Sequence, residues 1–244
     1  MPENTSPSVT TVLPGFDVVE GTASNWVIVR NPDSPDWLLI DGGYPGDADT
    51  VKSSLAQLGC APEHCKGILV THGHVDHIGG ISWLANEFDV PVWCHEEEVS
   101  NLRGPKREQV TLGEVLLRIA RPRVLRWLRN IVKHGALGDI SLEPTDTFVD
   151  SEVLALPRSP QAIHVPGHTS GSAAYLFVTD NGKILVSGDA LVTDHELLPR
   201  TGLARTLPKF FAHNHRRAKE SLKRLKDLNA DIVIPGHGGV VWNR

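Results

Sequence analysis

Cysteine is scarce in this chain. Its 244 residues include Cys60, Cys65 and Cys94, an odd number, and no C-x-x-C pair. That excludes a disulfide framework and argues against a separate zinc site at Cys60 and Cys65. The three read as reduced, mostly buried thiols in a reducing compartment. A chain of this length encloses a core that needs no disulfide staples. No apolar run approaches the length of a membrane span, so stable membrane insertion is not expected. The first residues, Met1 to Pro7, lack a basic segment followed by an apolar one. No signal peptide is read there, and the expected location is the cytoplasm. Residues 1–8 are expected to be a disordered polar tail. Positive charge is not in excess either: the net charge is −5 with histidine neutral. That argues against nucleic acid as a partner. The apolar fraction of 40% and charged fraction of 22% suit one large α/β domain or two small ones.

What the chain does have is a cluster of histidines. In Thr71-His72-Gly73-His74-Val75-Asp76-His77-Ile78-Gly79-Gly80, four metal-ligand side chains, His72, His74, Asp76 and His77, fall within six residues. They follow an apolar run, Gly67 to Val70, that reads as a buried strand. Ile81 to Ala85 after them looks helical. The cluster therefore occupies the turn from a strand's C-terminal end into a helix, where α/β layers place their chemistry. Residues i and i+2 of an extended loop point the same way, so His72 and His74 can share one metal. Asp76 and His77, where the chain begins to coil, aim elsewhere, at a second. A surface turn would account for one or two such residues, not for three imidazoles and a carboxylate behind a buried strand.

Along the chain, Val9–Leu13, Asn25–Val29 and Trp37–Ile40 read as strands, the last ending in Asp41-Gly42-Gly43. A helix from Asp47 to Leu58 stops at Gly59. Val90–Cys94 is a short strand with His95 at its end. From Arg103 to His134 the spacing predicts an amphipathic basic helical segment broken at Pro122, part of an insert over about 97–138. Short strands then return at Thr147–Val149, Val153–Leu156 and Ala162–Val165. Ala173–Val178 and Lys183–Val186 form a hairpin around Asp180-Asn181-Gly182. A helix from about Asn214 to Leu228 precedes a final strand, Asp231–Ile234. Strands, helices, strands, helix and strand in two comparable halves predict a four-layer αββα sandwich over 9–244, with the helical insert.

Three later strands each end in a polar residue beside glycine: His168, Asp189 and His237. With these in place the chain resembles the metallo-β-lactamase superfamily of hydrolases from Asp41 to His237, in the superfamily's order. The resemblance implies the αββα fold and two metal ions. One takes His72, His74 and His168, the other takes Asp76, His77 and His237, and Asp189 bridges them. Imidazole and carboxylate without thiolate suit zinc, with iron or manganese as alternatives. Two such ions about 3.5–4 Å apart share a hydroxide ionised near neutrality, the expected nucleophile. Asp76 is assigned the catalytic role of orienting it and passing a proton to the leaving group. Asp41 is expected to orient a ligand histidine. His95 and His164 read as scaffold or as substrate-side residues. His64, His134, His195, His213 and His215 read as surface or loop residues.

Departures from known branches narrow the substrate. True zinc β-lactamases have cysteine or serine where this chain has Asp189. Flavo-diiron proteins have glutamate in place of His74. Glyoxalase II matches the ligand set, but its C-terminal helical domain is missing. Acyl-homoserine lactonases carry a tyrosine three residues beyond the bridging aspartate, where this chain has Val192. Only Tyr44 and Tyr175 exist. The expected activity is hydrolysis of an ester-like acyl bond, thioester or lactone, in a small-molecule substrate. Phosphodiester cleavage and iron-dependent persulfide oxidation are the alternatives. The basic insert reads as plain packing, as a lid holding an acyl chain, or as a membrane or dimer contact, which leaves a homodimer open. Leu197, Leu198, Phe210 and Phe211 are candidates for the opposite wall.

Overall fold

The computed structural model describes residues 7–104, 107–138, 140–199 and 201–243. Most of the expected disordered tail lies outside them. The chain opens with an antiparallel meander: β1 (Val9–Leu13), β2 (Phe16–Glu20), β3 (Asn25–Arg30) and β4 (Trp37–Ile40). After helix α1 (Ala48–Gln57), β5 (Cys65–Leu69) joins parallel to β4. Helices α2 (Val75–Ile78) and α3 (Ser82–Phe88) lead to β6 (Val92–His95). The insert supplies α4 (Val99–Arg103), α5 (Leu112–Leu116) and α6 (Pro122–Lys133) before β7 (Asp146–Phe148) closes the sheet. The spatial order of this sheet is its sequence order, β1 to β7.

The second sheet holds β8 (Gln161–His164), β9 (Ala173–Thr179), β10 (Gly182–Gly188), β11 (Ile232–Pro235) and β12 (Val241–Trp242). Its order is β12-β11-β10-β9-β8, and helix α7 (His215–Asp227) connects the parallel pair β10 and β11.

The strand period of two explains the layers. On β3 and β4, Trp26, Ile28, Trp37 and Leu39 face α1 and α3 in one core, with Val51, Leu55 and Leu84. Their neighbours Val27, Val29, Leu38 and Ile40 face the second sheet, meeting Tyr175, Phe177, Ile184 and Ile234. Burial on both faces turns these strands into the unbroken apolar runs seen in the sequence. A third core sets Ile163, Leu185 and Val233 against Leu225 of α7. The result is the αββα sandwich that strand and helix order predicted.

Three expectations need correction. Val153–Leu156 is not a strand; Val153 makes one isolated bridge to Gln161 and stays 61% exposed. The chain turns there instead, through Arg158 and Ser159 at positive φ. Second, the final strand is not β11, because β12 pairs beyond it over two residues too few to leave a pattern. Third, the basic insert is not one helix broken at Pro122. It ends α4 at Arg103, restarts as α5 behind a Thr111 cap, and uses Pro122 as the first residue of α6.

Candidate metal centre

Every residue singled out as a ligand follows a strand whose C-terminal end lies at the same end of the sandwich. The turn after β5 carries His72 and His74, and α2, which follows directly, carries Asp76 and His77. The turns after β8, β10 and β11 carry His168, Asp189 and His237. All seven converge. The nitrogens of His72, His74 and His168 form one group able to hold a metal ion, Asp76, His77 and His237 a second, and His72, His77 and Asp189 a third joining them. His74 Nδ1 and His168 Nε2 are 2.9 Å apart. Asp189 reaches both sides, with Oδ1 3.3 Å from His77 Nε2 and Oδ2 3.4 Å from His168 Nε2 and 3.2 Å from His237 Nε2.

The outer hydrogen bonds decide which nitrogen of each ring faces inward. Asp41 Oδ2 lies 2.8 Å from His77 Nδ1, as expected of an orienting carboxylate. The same carboxylate accepts from the backbone N–H and the hydroxyl of Thr71, at 2.8 and 2.7 Å. With its hydrogen so used, the Thr71 oxygen accepts from His72 Nδ1 at 3.1 Å. His74 Nε2 donates to the Glu108 carbonyl and His237 Nδ1 to the Ala23 carbonyl, each at 2.8 Å. Four rings thus anchor one nitrogen outward and turn the other to a common centre. His72 Nε2, His77 Nε2 and Asp189 Oδ1 are buried there with no hydrogen-bond partner. Converging lone pairs and a carboxylate in a dry site suit a divalent cation, and the donor set, N and O without S, suits zinc.

Electrostatics agree. Burial, then the neighbouring imidazoles, hold His72 well below its usual range and bring His168 down to about 3. Both are neutral and ready to ligate. Burial also opposes charge on His77, but Asp189, Asp41 and Asp76 outweigh it and raise that ring well above the usual value. In the metal-free protein His77 holds a proton that a cation would replace. Burial works against ionised Asp76 too, yet His77 and His237 keep it below its ordinary value.

Two glutamates, which the sequence offered no reason to single out, hold the loops together. Glu98, fully buried, accepts from Gly73 N at 2.7 Å, Thr169 Oγ1 at 2.8 Å and Gly171 N at 3.0 Å. One carboxylate therefore ties the turn carrying His72 and His74 to the turn carrying His168. Burial raises it to about 7, against the pull of those donors. Glu108 accepts from the Ser170 N–H and hydroxyl while its carbonyl holds His74. Both clamped turns need glycine for a steric reason. A Cβ on Gly73 would stand 2.8 Å from the Asn101 carbonyl carbon, and one on Gly171 2.6 Å from that of Glu97.

A cavity of about 220 Å³ opens onto the cluster. Its apolar wall is Trp127, Leu128 and Ile131 of α6, with Val115, Leu207 and Phe211. The stripe of α6 thus packs and faces the site at once. Of the four residues expected on an opposite wall, Phe211 lines the cavity beside Trp127, 5.6 Å between ring centroids, while Leu197, Leu198 and Phe210 pack against the same apolar cluster without lining the cavity. Tyr44 also lines the cavity, in the same apolar cluster as Val192, and no hydrogen bond takes up its hydroxyl among the described residues. A phenol enters the site from the β4–α1 loop, rather than from the position after Asp189 where lactonases carry theirs. His195, read as a loop residue, lines the cavity too, its ring centroid 5.3 Å from that of His237. Burial and His237 bring it down to about 4. His95 and His164 stack on each other at 3.8 Å outside the cavity lining. The three cysteines are free and buried.

Comparison with known proteins agrees with this geometry. Residues 19–237 match the metallo-beta-lactamase superfamily, and the chain belongs to it. It is 29% identical to a probable metallo-hydrolase, YflN, of Bacillus subtilis, over 92% of this chain and 86% of that protein. It is 28% identical to the hydroxyacylglutathione hydrolase GloC of Haemophilus influenzae, over 82% of this chain and 79% of that one. Among solved structures it resembles a metallo-beta-lactamase of Cronobacter sakazakii, with a TM-score of 0.69 and 19% identity over 96% of this chain and 78% of the other. The class B3 di-zinc enzyme LRA-12 from an Alaskan soil metagenome gives 0.68 and 16%, over 97% and 82%. At that identity the likeness is one of fold. The relatives make the chain a metal-binding enzyme of the hydrolase type. No helix among the described residues is long and apolar enough to cross a membrane.

Proposed function

We propose that this protein is a dinuclear metal-dependent hydrolase that cleaves an ester-like acyl bond, thioester or lactone, in a small molecule with an apolar acyl group. The observation that carries the reading is the cavity. An apolar chamber opens directly onto five of the seven converging ligands, His74, Asp76, His168, Asp189 and His237, and, among its described lining residues, contains no lysine or arginine. Such a wall suits an apolar acyl group better than the charged backbone of a phosphodiester. The relationship to a hydroxyacylglutathione hydrolase supports an acyl bond.

In this reading His72, His74 and His168 would hold one ion and Asp76, His77 and His237 the other, with the Asp189 carboxylate available to both. Bound divalent ions, zinc being best suited, supply Lewis acidity and a water ionised near neutral pH. The chain's own residues do the rest. Glu98 and Asp41 fix the ligand loops. The wall of α6 with Phe211 seats the acyl group and excludes water. Asp76, ionised and 18% exposed, faces the cavity, where it takes a proton from the attacking water and returns it to the leaving oxygen or sulfur. The complete seven-residue set disfavours an iron-dependent persulfide dioxygenase, which uses fewer of these positions.

The test is metal analysis of protein purified without added metal, then a panel of thioesters, lactones, esters and a chromogenic phosphodiester. Turnover of acyl substrates that His72→Ala and Asp189→Ala abolish is expected. Metal-loaded protein that cleaves only the phosphodiester, or none of the panel, refutes the proposal.

A further inference from the structure

The loop after Asp189 brings one more polar group to the cavity. His195 Nδ1 accepts a hydrogen bond from the Leu197 N–H at 3.1 Å. An N–H donor requires a lone pair, so Nδ1 bears no hydrogen and the neutral ring bears its proton on Nε2. The ring is held by its surroundings. Phe211 meets it edge-on at 5.1 Å, Trp127 lies 6.4 Å away, and the His195 backbone N–H donates to Asp194 Oδ1 at 2.8 Å. Its Nε2 has no acceptor among the described residues, yet it is not among the sealed, unsatisfied polar atoms of the interior.

The position of the ring gives this free donor its meaning. Alongside the metal-facing chamber runs an outer polar groove, lined by Glu20, Asn25, Arg123, Arg126 and Glu196. Ala23, Trp127 and His195 line both. His195 therefore stands where the two spaces meet. A substrate with its acyl group in the chamber and its leaving group in the groove places the bond to be cleaved beside this ring.

We propose that His195 is a hydrogen-bond donor to the substrate, giving its Nε2–H to the oxygen that gains negative charge as the acyl bond is cleaved; this rests on the acyl-hydrolase reading above. A residue present only to fill the aromatic cluster would need neither the tautomer lock nor a nitrogen facing open space. The leaving group it serves is polar, because the groove beyond it is polar.

The experiment compares zinc-loaded wild type with His195→Phe, which keeps the ring packing, and His195→Gln, whose amide N–H reaches toward the position of Nε2. Expected is a fall in kcat of about 10²-fold for His195→Phe, the scale of one lost donor to a developing oxyanion. KM and zinc per chain should stay near wild type, and His195→Gln should recover about tenfold of the loss. A second readout needs no turnover. Long-range ¹H–¹⁵N spectra of the zinc-loaded protein at pH 7 should show the Nε2–H tautomer of His195, and added hexanoate, a product-like carboxylate, should shift its resonance. Wild-type kcat in His195→Phe, a loss that follows zinc content, the Nδ1–H tautomer, or a resonance unmoved by hexanoate overturns the assignment. A wild type that hydrolyses no acyl substrate overturns the acyl reading instead, and the two failures are distinct.

Discussion

Glu98→Gln changes one atom in a buried group and should be felt at the metal centre. The carboxylate accepts from three donors, with Gly73 N on Oε1 and Thr169 Oγ1 and Gly171 N on Oε2. A glutamine must replace one oxygen with NH₂. Either orientation turns that NH₂ toward a backbone N–H, Gly73 or Gly171, and two donors then face each other in a dry site. Each unsatisfied buried group costs about 1–3 kcal/mol, so a loss of about 2–4 kcal/mol in unfolding free energy is expected. Neither loop can relax into new contacts, because both glycines already pack against the backbone near Glu98. The strain passes to Gly73 and so to His72 and His74 on either side of it. Metal affinity should fall about 10–100-fold, as for other groups that orient ligands. Denaturant unfolding of the metal-free protein measures the first quantity, and zinc competition with a chromogenic chelator the second. Unchanged stability together with zinc affinity within a factor of two of wild type would refute the clamp.

Other expectations follow from the same geometry. Ile131→Ala should cost about 2 kcal/mol, the low end for a buried aliphatic because this one borders a cavity. It should lower kcat/KM for long acyl chains more than for acetyl, which a chain-length series reads directly. Tyr44→Phe breaks no hydrogen bond among the described residues, so the melting temperature should hold while kcat/KM drops about tenfold, the value of one modest hydrogen bond. The stability of metal-free protein should peak near pH 6–7. Below about 6.5 the unfolded chain protonates histidines that His72 and His168 sites keep neutral, so stability falls with falling pH. Above 6.5 the unfolded chain releases protons that His77 and His237 keep in the fold, so stability falls with rising pH until those rings titrate. Zinc should remove the alkaline decline, since the bound rings are already neutral. Thermal melts in chelator and in zinc across this range check both limbs.

The sequence by itself determined a great deal here. Five of the seven candidate ligands, His72, His74, His168, Asp189 and His237, sit beside glycine after a strand's end, and Asp76 and His77 follow within three residues, a local pattern that needs no knowledge of the fold; burial of β3 and β4 on both faces leaves its mark as unbroken apolar runs. The candidate ligand cluster, the element order and the αββα layering were legible for that reason. What the sequence could not show were contacts between segments far apart in the chain. Glu98 is the last of three consecutive glutamates, Glu96 to Glu98, and nothing local tells that it alone is turned inward between two loops of the candidate metal site. Tyr44 lies outside the expected position but reaches the same cavity from another loop. His195 looks like a loop histidine until α6 and Phe211 close around it. The candidate metal ligands are specified by short-range chain geometry. The residues that orient them and meet the substrate are specified by packing between elements, which only the tertiary structure decides.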